Sequence, residues 1–301
     1  MSSGAIAETP AVVGGEEEGR PPSAWRTIVG SIEGKIGLVL GAIMLGLIAF
    51  GRFFAPYSAD ELGVGVQSSG PSSDHLFGTD NLGRDVFSRF LAGGDTILLV
   101  PLAAVGAAFV LGGGMGMLGA YARGLTDTVI TRTFDLLLTL PPLLLVLVII
   151  AGLGTSTAVL VATVALVFLP RVGRVVRGAT QAVVTNDYVA AAQARGERTH
   201  AILVREVLPN IAAPAIADFA LRITYAIIFV ATLNFLGLGA QPPEPDWGLM
   251  VAESRNFLSV QPWATMMPAA GIAALSISFN LIADALTRHL TREAARGVVP
   301  V

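Results

Sequence analysis

The chain has no cysteine, so it has neither a disulfide framework nor a thiolate metal site. Lysine occurs once, as Lys35 in Gly34-Lys35-Ile36. That setting lacks the Ser or Thr that follows the lysine of a phosphate-binding P-loop and holds Mg²⁺. ATP is therefore not cradled here by that route. The three histidines, His75, His200 and His289, stand at no helical spacing from one another, which argues against a zinc site. Charge is scarce: 14% of residues carry it, against about 25% in ordinary soluble domains. The net charge of −3 offers nothing to nucleic acid. No apolar run pairs Ser with His or sets two Asp at one depth, as an intramembrane protease requires.

What is abundant is apolar length. Hydrophobic residues make up 53% of the chain, and mean hydropathy is +0.69. About 20 apolar residues cross roughly 30 Å of hydrocarbon. Runs of that length lie near 36–55, 95–121, 129–151, 156–176, 211–236 and 264–288. The expected fold is an all-α polytopic membrane protein with six transmembrane helices. Residues 1–34 are polar, include Glu16, Glu17 and Glu18, and are expected to form a disordered tail. The apolar run from Ile36 starts too late and runs too long for a signal peptide, so it reads as a retained first span. Residues 35–93 then hold that span and a long external loop. Residues 94–290 hold a five-helix core with an inner loop at 178–210, and residues 291–301 form a second tail.

Basic residues set the orientation. With the N-terminus inside, the inner set is Arg20, Arg26, Lys35, Arg123, Arg132, Arg171, Arg174, Arg177, Arg195, Arg198, Arg205, Arg288, Arg292 and Arg296. The outer set is only Arg52, Arg84, Arg89 and Arg255, and Arg222 falls within a span. Both termini are therefore expected in the cytoplasm, with the membrane being that of the cell.

The stretch Tyr188–Asn210, YVAAAQARGERTHAILVREVLPN, is a polar island between apolar runs. Tyr188, Ala190, Ala191, Ala192 and Ala194 suit a short helix. Gly196 takes φ > 0 readily and so ends it. A second helical turn carries Ile202, Leu203 and Leu208, and Pro209 is expected to stop it. A short helix of alanines presents a smooth, narrow surface that another protein can grip.

Two outer loops are rich in glycine and proline, which force turns. One contains HLFGTDNLGRDVFSR from His75 to Arg89; the other contains FLGLGAQPPEPDWG from Phe235 to Gly248. Two roles fit them equally: ordered surface loops, or a docking surface built from Gly78, Thr79, Asp80, Arg84, Asp85, Gln241, Asp246 and Trp247. Trp247 and Trp263 also fit as interfacial anchors.

These strings resemble the oligopeptide/dipeptide/nickel class of ABC importer permeases, and the second of that class's two permease subunits. HLFGTDNLGRDVFSR resembles the class's N-terminal signature. TLNFLGLGAQPPEPDWGLMVAESRNFL resembles its loop between the fifth and sixth spans. Ala191-Ala192, Gly196 and Leu208-Pro209-Asn210 match its coupling loop in spacing, and Phe279-Asn280-Leu281 with Asp284-Ala285-Leu286 match its sixth span. The resemblance covers roughly residues 30–290. Three positions depart from it: Ala190 replaces the usual glutamate, Arg195 the usual leucine, and Leu290-Thr291-Arg292 the usual Asp-Pro-Arg. The first departure removes any role that glutamate would carry.

The resemblance implies a type I permease that forms half of a translocation pathway. A second homologous permease supplies the other half, and two ATPase subunits, which bind ATP and Mg²⁺ in place of this chain, grip the coupling loop. An extracytoplasmic solute-binding protein docks outside. The coupling residues would be Tyr188, Ala191, Ala192, Gly196, Glu197, Ile202, Arg205, Leu208 and Pro209. The implied substrates are di- or oligopeptides, with nickel or another non-peptide solute as the alternative. An ion-coupled secondary transporter is the competing class, but it would call for midplane charges and repeated halves. A structural assembly subunit is the third reading.

Other residues read more plainly. Gly37/Gly41 and Gly112/Gly116 are small-residue pairs that allow close helix contact. Pro101, Pro141, Pro142 and Pro170 either kink helices or mark their ends. Arg132 and Asp135 are spaced to pair on one helix, and Asp284 suits a helix end or a subunit contact. Asp218 and Arg222 share one face of the fifth span, either as a self-satisfied pair that locks packing or as a polar contact in the pathway.

Overall fold

The structure is a computed structural model and describes residues 29–295, with side chains up to Arg288. Most of both expected tails, with Arg20, Arg26, Arg292 and Arg296, lies outside the described residues or side chains, as does the His289 side chain. The regular structure among the described residues is helical, apart from one isolated bridge between Thr79 and Asp85.

Helix α1 (Ile32–Phe50) is the first span; Ser31 caps it by accepting from the Gly34 N–H at 3.1 Å. The short α2 (Val86–Ala92) closes the first outer loop. Helix α3 (Asp95–Ala108) runs through a π turn at Phe109–Gly113 into α4 (Gly114–Ala122), giving one long second span. Then come α5 (Gly124–Thr139) and α6 (Pro142–Leu153), followed by α7 (Thr157–Val183). Helix α8 (Asp187–Ala194) is the alanine helix. Helix α9 (Thr199–Ile202) passes through a second π turn, Leu203–Val207, into α10 (Leu208–Phe235). Helix α11 (Trp247–Ser254) lies in the second outer loop, and α12 (Trp263–Ala295) is the last span. Helix α1 packs on α12, α7 packs on α3 and α4, and α10 touches α3, α7 and α12.

The third expected span is not straight. Among the described residues, five helical stretches are long and apolar enough to cross a membrane, and a sixth exists only if α5 and α6 count together across an 89° bend. The break is chemical: Pro141 disfavours helix at Leu140, which turns extended at ψ 128, and Pro142 starts the next helix. Helix α5 crosses α7 obliquely. Its Asp127 meets Arg177, yet Asp135, two turns on, meets Arg174, less than one turn back. The partner of Asp135 is thus Arg174 on α7 in close contact, and the expected Arg132 only approaches it, at 4.0 Å. The bent pair still carries the chain from one side to the other. Thr155, just after α6, lines a cleft with Thr96 and Gln241, whereas α5 begins beside the opposite end of α4.

The glycine pairs act as close contacts. A Cβ on Gly37 would lie 2.9 Å from the Leu281 Cβ, and one on Gly112 only 2.4 Å from the Leu169 carbonyl oxygen. At Gly116 the obstruction is the Gly173 carbonyl oxygen at 2.3 Å, backbone that no side-chain rotation relieves. Gly116→Val is therefore expected to destabilise the α4–α7 contact by about 1–3 kcal/mol. Gly106→Val is the control, because nothing lies within 4 Å of its Cβ position. Thermal unfolding of the two purified variants in detergent checks the pair; equal melting points would remove the packing argument.

Candidate functional site

The 187–210 segment is built around one backbone reversal. Helix α8 ends in a left-handed glycine, with Gly196 at φ +74. The Gly196 N–H donates to the Gln193 carbonyl at 2.9 Å, and the Glu197 N–H reaches back to Ala192 at 3.2 Å. These two bonds are the Schellman pattern that satisfies a helix's last carbonyls. Arg195 clamps the turn from outside, donating twice to the Glu197 carboxylate at 2.9 and 2.7 Å.

Below the turn, Val189, Ala192 and Ile202 form a small apolar cluster of their own, with Tyr188 and Tyr121 packed against it. Tyr121 belongs to the C-terminal end of α4, and Ile202 to the start of the α9–α10 helix. The loop is thereby pinned to two spans at once. Its other side is free: Ala190, Ala191, Gln193, Ala194, Arg205 and Leu208 are exposed. Of the expected coupling residues, Ala192 and Ile202 are thus internal supports, while Ala191, Gly196, Arg205, Leu208 and Pro209 present the outer face.

Pro209 does not stop the second helix, contrary to expectation; helix runs on to Phe235. The preceding π turn is the reason. Its wider bonding reaches five residues back, as in the Leu208 N–H to the Leu203 carbonyl. Pro209 then enters as a first-turn residue that needs no N–H. The Asn210 side-chain amide donates to the Glu206 carbonyl at 2.6 Å, giving it a partner.

A polar stripe runs along α10. Asp218, Arg222, Tyr225 and Thr232 recur at helical spacing on one face. Arg222 donates twice to Asp218, Nε–Oδ2 at 3.1 Å and Nη2–Oδ1 at 3.0 Å. Tyr225 is 61% exposed on the isolated chain. A lipid-facing surface would not carry such a stripe, because ionisable side chains within spans, paired or not, face the bundle interior or a water-filled cavity. Arg171, grouped by sequence with the inner loop residues, instead sits near the middle of α7, and Arg174 and Arg177 also lie inside that helix.

The two glycine- and proline-rich loops form one cap. Arg84 is 1% exposed and donates through Nε to Asp80 at 2.6 Å and through Nη2 to Glu253 at 2.7 Å. Arg89 reaches the same Glu253 oxygen at 3.3 Å. Asp85 caps α2, accepting from the Ser88 N–H at 2.8 Å, and meets His75 Nδ1 at 3.0 Å. Gln261 spans the loops, donating to the Ser69 and Phe77 carbonyls at 2.7 and 2.8 Å. Asp246 caps α11 through the Leu249 N–H at 3.0 Å, and burial pushes its carboxyl up to about 6. Trp247 is 0% exposed, stacks on Phe90 and donates from Nε1 to the Phe90 carbonyl at 2.8 Å. It is not an interfacial anchor: a buried indole takes a protein acceptor. Trp263 remains exposed. Of the expected docking residues, all but Gln241 are thus buried, and their side chains hold the cap's shape from within.

A family model described as Binding-protein-dependent transport system inner membrane component matches residues 103–296. The chain belongs to that family. The dipeptide transport system permease protein DppC of Alkalihalophilus pseudofirmus is similar, 34% identical over 275 residues, 90% of each chain. The glutathione transport system permease protein GsiD of Pectobacterium atrosepticum is 35% identical over 255 residues, 83% of this chain and 85% of the relative. Among solved structures, a chain from inward-facing conformations of the MetNI methionine ABC transporter matches with a TM-score of 0.53 at 15% identity. It covers 66% of this chain and 95% of its own, which supports the fold alone. The protein is a multi-pass membrane permease of an ATP-driven importer, a transport subunit and not an enzyme. This sets aside the ion-coupled transporter. Permeases of this family work with an ATPase and a solute-binding protein.

Sequence reasoning missed Arg171, Tyr225 and Thr232 as companions of Asp218 and Arg222. The signal for the last two lay in the sequence, since all four α10 residues keep helical spacing. Arg171 gave none, because its position on another helix is set by packing.

Proposed function

We propose that this permease forms half of a pathway for di- or oligopeptides, paired with a second homologous permease. Two ATPase subunits grip the exposed side of α8 and the Gly196 turn, and they bind the ATP and Mg²⁺. A solute-binding protein docks on the outer cap. The observation that carries the reading is the α8 turn: a rigid, narrow knob, exposed outward and packed inward on two spans. Relatives named for dipeptide and for glutathione transport support the peptide substrate.

The reading requires both termini and the α8 turn in the cytoplasm and the cap outside. Val66 is 78% exposed on the cap side, and Thr199 is exposed beside the turn. The chain has no cysteine of its own. In intact cells, cysteine at Val66 is expected to react with a membrane-impermeant thiol reagent, and cysteine at Thr199 only after permeabilisation. The reverse labelling would overturn the orientation and the ATPase contact with it.

A further inference from the structure

We infer that Arg171 and Arg222 form a carboxylate-binding site within the pathway, and that it takes the terminal carboxylate of a passing peptide. The inference rests on the peptide reading above. Depth is the first support. At 1.5 Å per residue, Arg171 lies about 21 Å along α7 from Thr157, and Arg222 about 20 Å along α10 from Phe235. The cleft shared by Thr157 and Gln241 sets those two helix ends on the same side, so the two arginines lie at one level. Helices α7 and α10 pack against each other, which sets the two levels side by side.

Charge balance is the second support. Two guanidinium groups share this level with one carboxylate, Asp218, which Arg222 already engages with two bonds. Arg171 donates Nη1 to the Val167 carbonyl at 3.1 Å, and among the described residues it has no carboxylate within 4.0 Å. A cation left at this depth calls for an anion. Cytoplasmic lipid phosphate does not supply it. The Val167 carbonyl lies one turn towards the outer end of α7, so the Arg171 side chain turns away from the inner headgroups instead of snorkelling to them.

Geometry is the third. Arg222 is held by Asp218 on a face that continues as Tyr225 and Thr232, a wall suited to water and to a polar solute. Guanidinium offers five donors in a planar fork that matches a carboxylate. Asp218 moderates the positive field, so an arriving carboxylate is held weakly enough to leave. Peptides of any sequence share a terminal carboxylate, so the site reads class and not side chains.

The test uses the whole importer, expressed with its partners in cells without other peptide uptake. It compares wild type with Arg171→Lys, Arg171→Gln and Arg171→Glu. Uptake of a radiolabelled dipeptide is expected to fall in that order, by roughly tenfold or more at Gln, the equivalent of one lost charge-assisted bond. Recovery of the second permease and the ATPases on purification is expected to stay constant. Equal uptake in wild type and Arg171→Gln would overturn the site. So would loss of the second permease from Arg171→Gln, which would mean that the missing anion is an acid of that subunit. A wild-type importer that takes up no peptide from a varied panel would sink the peptide reading first and this inference with it, before any variant is compared.

Discussion

Gly196→Pro is expected to leave the importer assembled and hydrolysing ATP while peptide uptake drops to background. The turn is held by torsion and not by crowding. Nothing lies within 4 Å of a Cβ built at Gly196, so a larger residue has room. What it lacks is the backbone: φ is +74, and proline is fixed near −65°. Proline also deletes the N–H that donates to Gln193. Leucine keeps the N–H but pays roughly 1–3 kcal/mol to stay left-handed, so the turn reopens and uptake falls sharply. Asparagine tolerates that conformation better than other side-chain-bearing residues, and Gly196→Asn is expected to retain most uptake. The ranking Gly, Asn, Leu, Pro separates a torsional cause from a steric one, which would rank by size. Uptake and ATP hydrolysis measured in the same vesicles test it. Normal uptake with leucine would remove the coupling role from this turn, because the angle it fixes between α8 and α9 is what seats Val189 and Ala192 on Ile202 and Tyr121.

Much of this was legible in the sequence, for physical reasons that differ by element. Span positions were legible because hydrocarbon thickness sets a length that composition must meet. The α8 turn was legible because few residues but glycine end a helix left-handed, and Gly196 follows a run of alanines. Where sequence reasoning failed, the outcome depended on neighbours. Pro209 looked like a stop because the π turn before it has no sequence signature. The bend at Pro141–Pro142 was read as one of two options, since proline breaks a helix or marks its end according to what packs there. The charges of the loops expected outside fitted a docking surface and ordered loops equally in the sequence, because charge in a loop suits either. Their burial depends on Glu253, far along the chain, and no local pattern announces that pairing.

That pairing gives the second large effect. Arg84→Met is expected to destabilise the outer cap by about 3–5 kcal/mol, the range for breaking a buried pair from one side. The network is balanced as it stands. Arg84 and Arg89 meet Asp80 and Glu253, two charges of each sign, with both arginines 1% exposed. Removing Arg84 leaves Asp80 with Arg89 at 3.8 Å and Glu253 with Arg89 at 3.3 Å, so one guanidinium must serve the buried Asp80 and the half-buried Glu253. The double change Arg84→Met with Glu253→Gln removes one charge of each sign and restores the balance. It is expected to recover most of the loss even though it deletes another hydrogen bond. Because Glu253 sits on α11 and Arg84 in the first outer loop, the single variant unties the two loops from each other. Release of solute by the binding protein onto the cap is then expected to fail, while Gly196-dependent coupling inside stays intact. Melting temperatures of the single and double variants in detergent, with binding of the loaded partner to each, separate the two effects. If the double variant melts no higher than the single one, charge balance is not what holds the cap together.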